Sequence, residues 1–143
     1  MIDVGDKEVT HRTAHATCRV IMQPATLLAI EEGRVPKGDV FGTARVAAIM
    51  AAKNTPSIVP LCHPLPVEHV QVELKTSSEG FVDIDVTVSA HARTGVEMEA
   101  LTACSAAALT VYDMCKMVER GITVTGLRLL GKTGGKSGDY RSE

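Results

Sequence analysis

Hydrophobic and polar residues alternate along two neighbouring stretches of the chain, "EHVQVELKT" at 68–76 and "GFVDIDVTVSAHA" at 80–92. Alternation with a period of two is typical of a β-strand that buries one of its faces. The letters "SSEG" between the stretches end on Gly80, which predicts an antiparallel hairpin. The segments "ATCRVIM" at 16–22 and "ITVTGLRLL" at 122–130 predict two further strands.

Three other segments have the composition and the boundary residues of helices. The first covers 23–33, and the second lies within 35–56, with Asp39 as its predicted N-cap and Pro56 as its stop. The third, 94–119, should be one long helix, because nothing after its second residue interrupts it. The resulting order βααββαβ predicts an α+β ferredoxin-like sandwich, an antiparallel sheet with helices packed on one face.

Size and charge limit the classes of function. The 143 residues, of which 45% are apolar, predict one domain, and 15 basic against 17 acidic residues leave a net charge of −2. No global field attracts nucleic acid or an anionic membrane, and we expect neither as a partner. The chain shows no apolar export signal, and its four cysteines form no C-x-x-C pair, which predicts a cytoplasmic protein.

A polar stripe runs along the predicted long helix. At 100° per residue these side chains share one face, and Glu97 lies off it: Glu99, Thr102, Ser105, Thr110, Asp113 and Lys116. One interpretation is an ordinary solvated face, with Asp113 and Lys116 as a surface ion pair. The other is a tuned acid–base couple, because a carboxylate and an ammonium group that share a cleft shift each other's pKa.

Two lysine and glycine segments are candidates for binding an anion. The stretch "GLRLLGKT" at 126–133 matches the P-loop pattern, but we reject that interpretation because its "loop" is a predicted strand and no helix follows. Lys132 and Lys136 still lie among glycines, where backbone N–H groups can meet phosphate oxygens. Lys37 lies just before the predicted start of the second helix and is a third candidate for contact with phosphate. We expect the segment from about 131 onwards to be loop and flexible tail, and a disordered basic tail is the alternative to phosphate binding there.

The segment "IVPLCHPLPVEHV" at 58–70 places Cys62 beside His63 among three prolines. A metal centre with Cys62, His63 and His69 has no familiar zinc spacing, and we predict no metal site. A Cys–His nucleophile pair is disfavoured, because adjacent residues of an extended segment point to opposite faces. A rigid loop fits best, presenting His63 for hydrogen bonding or proton transfer while Cys62 packs behind it.

Four blocks together resemble the family of molybdenum cofactor biosynthesis protein C, the cyclic pyranopterin monophosphate synthases. They are "KGDVFGTARVAAIMAAKNT", "IVPLCHPL", "TGVEMEALTACSAAALTVYDMCK" and "LLGKTGGKSGDY", in the order and register of that family. The resemblance implies a lyase that converts a cyclic dihydro-GTP intermediate into cyclic pyranopterin monophosphate and pyrophosphate. It also implies a homohexamer, a trimer of dimers, with active sites at subunit contacts. No cofactor is implied, although Mg²⁺ could accompany the triphosphate.

The resemblance also implies roles for individual residues. Asp113 matches the catalytic aspartate of the family and Lys116 its partner lysine, and His63 is a further candidate for proton transfer. The positions expected to bind the substrate are Leu61, Cys62, His63, Met98 and Glu99, together with Glu97. Those expected to bind its phosphates are Arg12, Lys37, Lys132 and Lys136. The competing hypothesis is a regulatory module that binds a small anion without chemistry.

Overall fold

The structure, a computed structural model that describes residues 1–143, has five strands and four helices. In chain order they are β1 (Thr10–Ile21), α1 (Pro24–Glu31), α2 (Val40–Lys53), α3 (Thr55–Ile58), β2 (His69–Ser77), β3 (Phe81–Ala92), α4 (Glu97–Cys115), β4 (Thr123–Thr133) and β5 (Tyr140–Arg141). No helix is both long enough and apolar enough to span a lipid bilayer.

The sheet has the strand order β2-β3-β1-β4-β5, and every neighbouring pair is antiparallel. Strand β3 therefore lies between β1 and β2, and the helical segment α1 to α3 crosses over it. Helix α4 makes the second crossover, from β3 to β4. Two interleaved β-α-β units of this kind define the ferredoxin-like sandwich. The predicted fold is confirmed, as is the predicted hairpin of β2 and β3.

One face of the sheet and the facing sides of α2 and α4 form the core. Alternate residues of β1 and β3 are buried, among them Val20 and Ile84, while the residues between them are half-buried. The buried side chains of the two helices are mostly alanines, such as Ala48 and Ala107. Small side chains let two helices approach closely, so α4 packs closely against both α2 and the sheet.

Two elements differ from the prediction in length. Strand β1 begins at Thr10 rather than Ala16, because its polar first half pairs with both β3 and β4. Cross-strand hydrogen bonds decide its start there, not hydrophobic alternation. Helix α4 covers Glu97–Cys115 instead of 94–119, and its last turn closes with the amides of Val118 and Glu119 both donating to the Cys115 carbonyl.

The prediction of a loop and flexible tail from residue 131 is wrong. Strand β4 continues to Thr133, and β5 pairs back on it, with Gly131 opposite Arg141. The reversal is possible because Gly134 and Gly135 adopt φ angles of 90° and 82°, which other residues rarely reach. A side chain at Gly134 would also collide with the backbone of β1. Residues 131–133 and 140–141 therefore belong to the sheet rather than to a loop.

Helix α3 was not predicted, but the predicted cap of α2 is confirmed. The Asp39 carboxylate accepts a hydrogen bond from the amide of Gly42 at 2.9 Å.

We expect Asp39→Ala to lower the free energy of unfolding by about 1 kcal/mol, because one amide of the first turn loses its partner. Urea unfolding at a fixed protein concentration measures this change, with Asp6→Ala as the control. Equal midpoints for both variants would contradict the capping role.

Candidate active site

The predicted polar stripe of α4 is not one continuous functional surface. The hydroxyl of Ser105 donates to the Leu101 carbonyl at 2.8 Å, and that of Thr110 donates to the Ala106 carbonyl at 2.7 Å. Both hydroxyls are thus satisfied inside the helix. The charged residues lie at its two ends, with Glu97 and Asp113 about 24 Å apart at 1.5 Å per residue. The candidate functional groups are therefore divided between the two ends of the helix.

Three charged residues meet at the C-terminal end of α4. Lys116 Nζ lies 2.6 Å from Asp113 Oδ1, and Lys37 Nζ lies 2.6 Å from Asp113 Oδ2. Lys37 reaches this point because it precedes α2, which runs antiparallel to α4. The predicted contact between Asp113 and Lys116 is present. The contact of Lys37 was not predicted, since the sequence had suggested only a loop for phosphate. We call these three residues the Asp113 cluster.

The two ammonium groups determine the protonation of the Asp113 cluster. Hydrogen bonds from Lys116 and then Lys37 lower the pKa of Asp113 to about 2. In return, the Asp113 carboxylate raises the pKa of Lys116. At neutral pH the cluster therefore holds an ionised carboxylate and a protonated ammonium group, and these same contacts make the carboxylate a weaker base and the ammonium group a weaker acid. With 52% of the Asp113 side chain exposed, the cluster is open to a ligand.

A buried carboxyl group lies near the other end of α4. The Glu99 residue is only 1% exposed, its Oε1 lies 3.8 Å from Cys62 Sγ, and its Oε2 has no hydrogen-bond partner. Burial raises the pKa of Glu99. Burial, followed by the Glu99 carboxylate, raises the pKa of Cys62, so this thiol stays protonated. The sequence placed Glu99 on a polar stripe, whereas the loop that carries Cys62 covers it. The Oε2 atom is thus a buried polar atom without a hydrogen-bond partner, and a ligand could reach it only after the covering loop moves.

Beside this end of α4, the side chains of Glu97 and Lys132 form an ion pair, with Lys132 Nζ 2.7 Å from Glu97 Oε1. Lys132 belongs to β4 and not to a glycine loop, so its predicted placement is corrected. The rejection of a P-loop at 126–133 is confirmed, because these residues all lie in β4 and no helix follows. Helix α4 and strand β4 together position this pair.

Arg12 and Lys136 line one cavity of about 560 Å³ that has no hydrophobic wall. The other lining residues are Lys7, Glu8, Thr10, Gly135 and Ser137. The Arg12 guanidinium donates to the carbonyls of Ala92 and Arg93, both at 3.2 Å. Lys7 was missed by sequence reasoning, because it stands in a mixed acidic and basic stretch without a pattern. The turn of the C-terminal segment brings it opposite Lys136, which forms a basic cavity.

His63 lines a different cavity of about 340 Å³, together with His91, Arg93 and two of the neighbouring prolines. Leu61 and Met98 are exposed. No group of three or more His, Cys, Asp or Glu side chains is arranged to share a metal ion, so Cys62, His63 and His69 do not form a common centre. The structure thus brings the predicted residues together in small groups, and Asp113 is remote from His63.

The sequence matches known proteins over nearly its whole length. The MoaC family model matches residues 1–135. The chain belongs to the MoaC family. Relatives with the name cyclic pyranopterin monophosphate synthase include those of Thermomicrobium roseum (52% identical, covering 100% of this chain and 87% of the relative), Chloroflexus aggregans (54%, 100% and 87%) and Nostoc (56%, 98% and 84%). In this MoaC protein, the matched region includes both ends of α4 and the loop of Cys62.

Proposed function

We propose that this MoaC protein is a cyclic pyranopterin monophosphate synthase, a lyase of molybdenum cofactor biosynthesis. It converts the cyclic dihydro-GTP intermediate into cyclic pyranopterin monophosphate and releases pyrophosphate. Identities of 52% to 56% over at least 98% of the chain to relatives of that name carry the proposal. The clusters at the two ends of α4 supply the groups that this chemistry needs.

The Asp113 cluster is proposed to transfer protons. Rebuilding the purine-derived ring and closing a cyclic phosphate both require a base and an acid near the reacting atoms. Asp113 is ionised at neutral pH and Lys116 is protonated, so each starts in the form that its role requires, and a change in their contacts must bring their pKa values closer to neutral. Lys37 contacts Asp113 together with Lys116. When the substrate binds, the Lys37 ammonium group can move to a phosphate oxygen, which would raise the basicity of the Asp113 carboxylate.

The residues around Glu99 are proposed to bind the ring of the substrate. The unpartnered Oε2 of Glu99 suits an N–H group of a guanine-derived ring, which would reach this buried atom after the loop of Cys62 moves and would supply its missing hydrogen bond. Cys62 holds the other oxygen in place. Leu61 and Met98 offer exposed apolar surface for the ring face, and His63 is proposed as an additional proton-transfer group.

The basic residues near the turn at Gly134 are proposed to hold the phosphates. The cavity of Arg12 and Lys136 is polar throughout, and Lys7 adds a third positive charge to its lining. Lys132 lies on the strand that leads into this turn. Clustered ammonium and guanidinium groups stabilise the charge that develops on a departing pyrophosphate.

A second copy of the chain is proposed to complete each site, within a homohexamer built as a trimer of dimers. One copy keeps the Asp113 cluster about 24 Å along α4 from Glu97, too far for one compact substrate to touch both. Exposed apolar side chains on both long helices supply a surface for another copy, among them Val46, Met50 and Leu109, the last 64% exposed. We also propose a cytoplasmic location. All four cysteines are free, as expected in a reducing compartment.

The direct test supplies the purified protein with the cyclic dihydro-GTP intermediate and measures pyrophosphate release and pterin formation together. Equal amounts of both products are expected. Binding of the intermediate without release of pyrophosphate would reject the enzyme and favour the regulatory module that binds a small anion. Addition of Mg²⁺ to one arm of the assay determines whether the triphosphate requires it.

Replacing Lys37 should change the titration of Asp113. In Lys37→Ala the carboxylate keeps Lys116 but loses its second ammonium partner, so its pKa should rise from about 2 towards its ordinary value. Carboxyl-carbon NMR of the folded protein, titrated downwards from neutral pH, should show the Asp113 signal shifting at higher pH in the variant. Lys53→Ala is the matched control on α2. An unchanged Asp113 curve would mean that Lys37 does not contact it in solution.

A further inference from the structure

Two buried cysteines lie side by side between α4 and the sheet. Cys18 Sγ is 3.1 Å from Cys104 Sγ, and the two residues are only 2% and 0% exposed. Cys18 lies on the core face of β1, the central strand, and Cys104 lies near the middle of α4. Neither residue belongs to the groups described above at the ends of the helix.

The two thiols have different hydrogen-bonding roles and opposite pKa shifts. The Cys104 thiol donates to the sulfur of Cys18, and it also lies 3.5 Å from the Ile84 carbonyl. The hydrogen bond lowers the pKa of Cys18, whereas the same bond and burial raise the pKa of Cys104. The hydrogen bond distinguishes the two residues, with Cys104 as the donor and Cys18 as the acceptor. Cys115, equally buried, has burial alone as the main influence on its thiol.

We propose that Cys18 and Cys104 form a reversible intramolecular disulfide that fastens α4 to β1 when the protein meets a peroxide. A disulfide has a sulfur–sulfur distance of about 2.05 Å, so the two atoms must approach by only about 1 Å. A small oxidant is required because both side chains are buried and become accessible only through local opening of the structure.

The oxidation of the two thiols needs no cofactor, because hydrogen peroxide is the oxidant. The Cys18 thiolate attacks one oxygen of hydrogen peroxide, which breaks the O–O bond and forms a sulfenic acid and hydroxide, and the hydroxide takes a proton to become water. The Cys104 sulfur then attacks the Cys18 sulfur, and the leaving hydroxide takes the Cys104 proton as a second water. The two thiols are oxidised by two electrons and the peroxide is reduced by two. Thiol reductants reverse the bond.

The bond would act on the scaffold of the site, independently of the proposed reaction. It closes a long stretch of chain, from β1 to α4, which restricts the unfolded chain and stabilises the folded one. Cys104 stands between Glu99 and Asp113 on the helix. The cross-link therefore fixes the element that carries both ends of the candidate site against the central strand.

The test treats the full-length protein with hydrogen peroxide, blocks the remaining thiols with N-ethylmaleimide in denaturant and identifies peptides by mass spectrometry. A peptide that joins Cys18 to Cys104 is expected, together with a rise in melting temperature on the order of 10 °C that dithiothreitol reverses. Cys18→Ala and Cys104→Ala should lack both effects, and Cys115→Ala should keep both.

Two results would overturn the proposal. One is alkylation of Cys18 and Cys104 as separate thiols after peroxide treatment of the native protein, and the other is over-oxidation of Cys18 without a cross-link. Circular dichroism of the untreated variants shows whether they fold. If Cys18→Ala does not fold, the peptide map of the unaltered protein still decides the question.

Discussion

Asp113→Asn is expected to reduce turnover of the cyclic dihydro-GTP intermediate by roughly 10²- to 10⁴-fold, the range that general acid–base catalysis supplies. The amide keeps the size of the carboxylate but cannot accept the proton that the ionised side chain would take. It also leaves the ammonium groups of Lys37 and Lys116 without their shared negative partner. Both kcat and kcat/KM for pyrophosphate release should fall together, because the lost interaction belongs to the transition state.

A matched control is available on the opposite face of the sheet. The Asp83 carboxylate also forms an ion pair with two contacts. Its two oxygens accept hydrogen bonds from two nitrogens of Arg19, at 2.6 Å and 2.8 Å. Asp83→Asn should leave turnover within a factor of about two, since exposed ion pairs contribute little. Full turnover by a folded Asp113→Asn variant would remove Asp113 from the reaction. Lost binding of the intermediate with unchanged kcat would assign it to binding alone.

The sequence could predict most of the sheet, but not the edge strand β5. The alternation in 68–76 and 80–92 is long and regular, so the hairpin follows from it directly. Strand β5 has only two residues and follows a glycine-rich segment, which carries no hydrophobic pattern. Its formation depends on hydrogen bonds to β4 and on the left-handed glycines of the turn, and these are tertiary properties.

The candidate site shows the same division between local and long-range information. Asp113 and Lys116 are three residues apart on a helix, so their contact follows from helix geometry. The contact of Lys37 depends on how α2 packs against α4, which no local pattern specifies. The burial of Glu99 depends on the loop of Cys62 in the same way. Sequence reasoning therefore singled out these residues but could not show how the fold distributes them among separate clusters.

That separation leads to a test with mixed subunits. Asp113→Asn alters one end of α4, and Lys132→Ala removes the partner of Glu97 at the other end. If each complete site takes one end from each of two copies, both variants alone should be inactive. Oligomers that contain both should regain activity, because some sites then combine two unaltered ends.

The expected recovery can be calculated from symmetry. When two variants mix at random in equal amounts, half of the dimers are mixed, and one of the two symmetric sites in each mixed dimer is unaltered, so about a quarter of full activity should return. Asp113→Asn mixed with Lys116→Ala is the control, since both changes alter the same end and no pairing rebuilds a site. Native mass spectrometry confirms that mixed oligomers form. If they form and stay inactive, a single copy must hold the whole site, and the binding groups must lie around the Asp113 cluster itself.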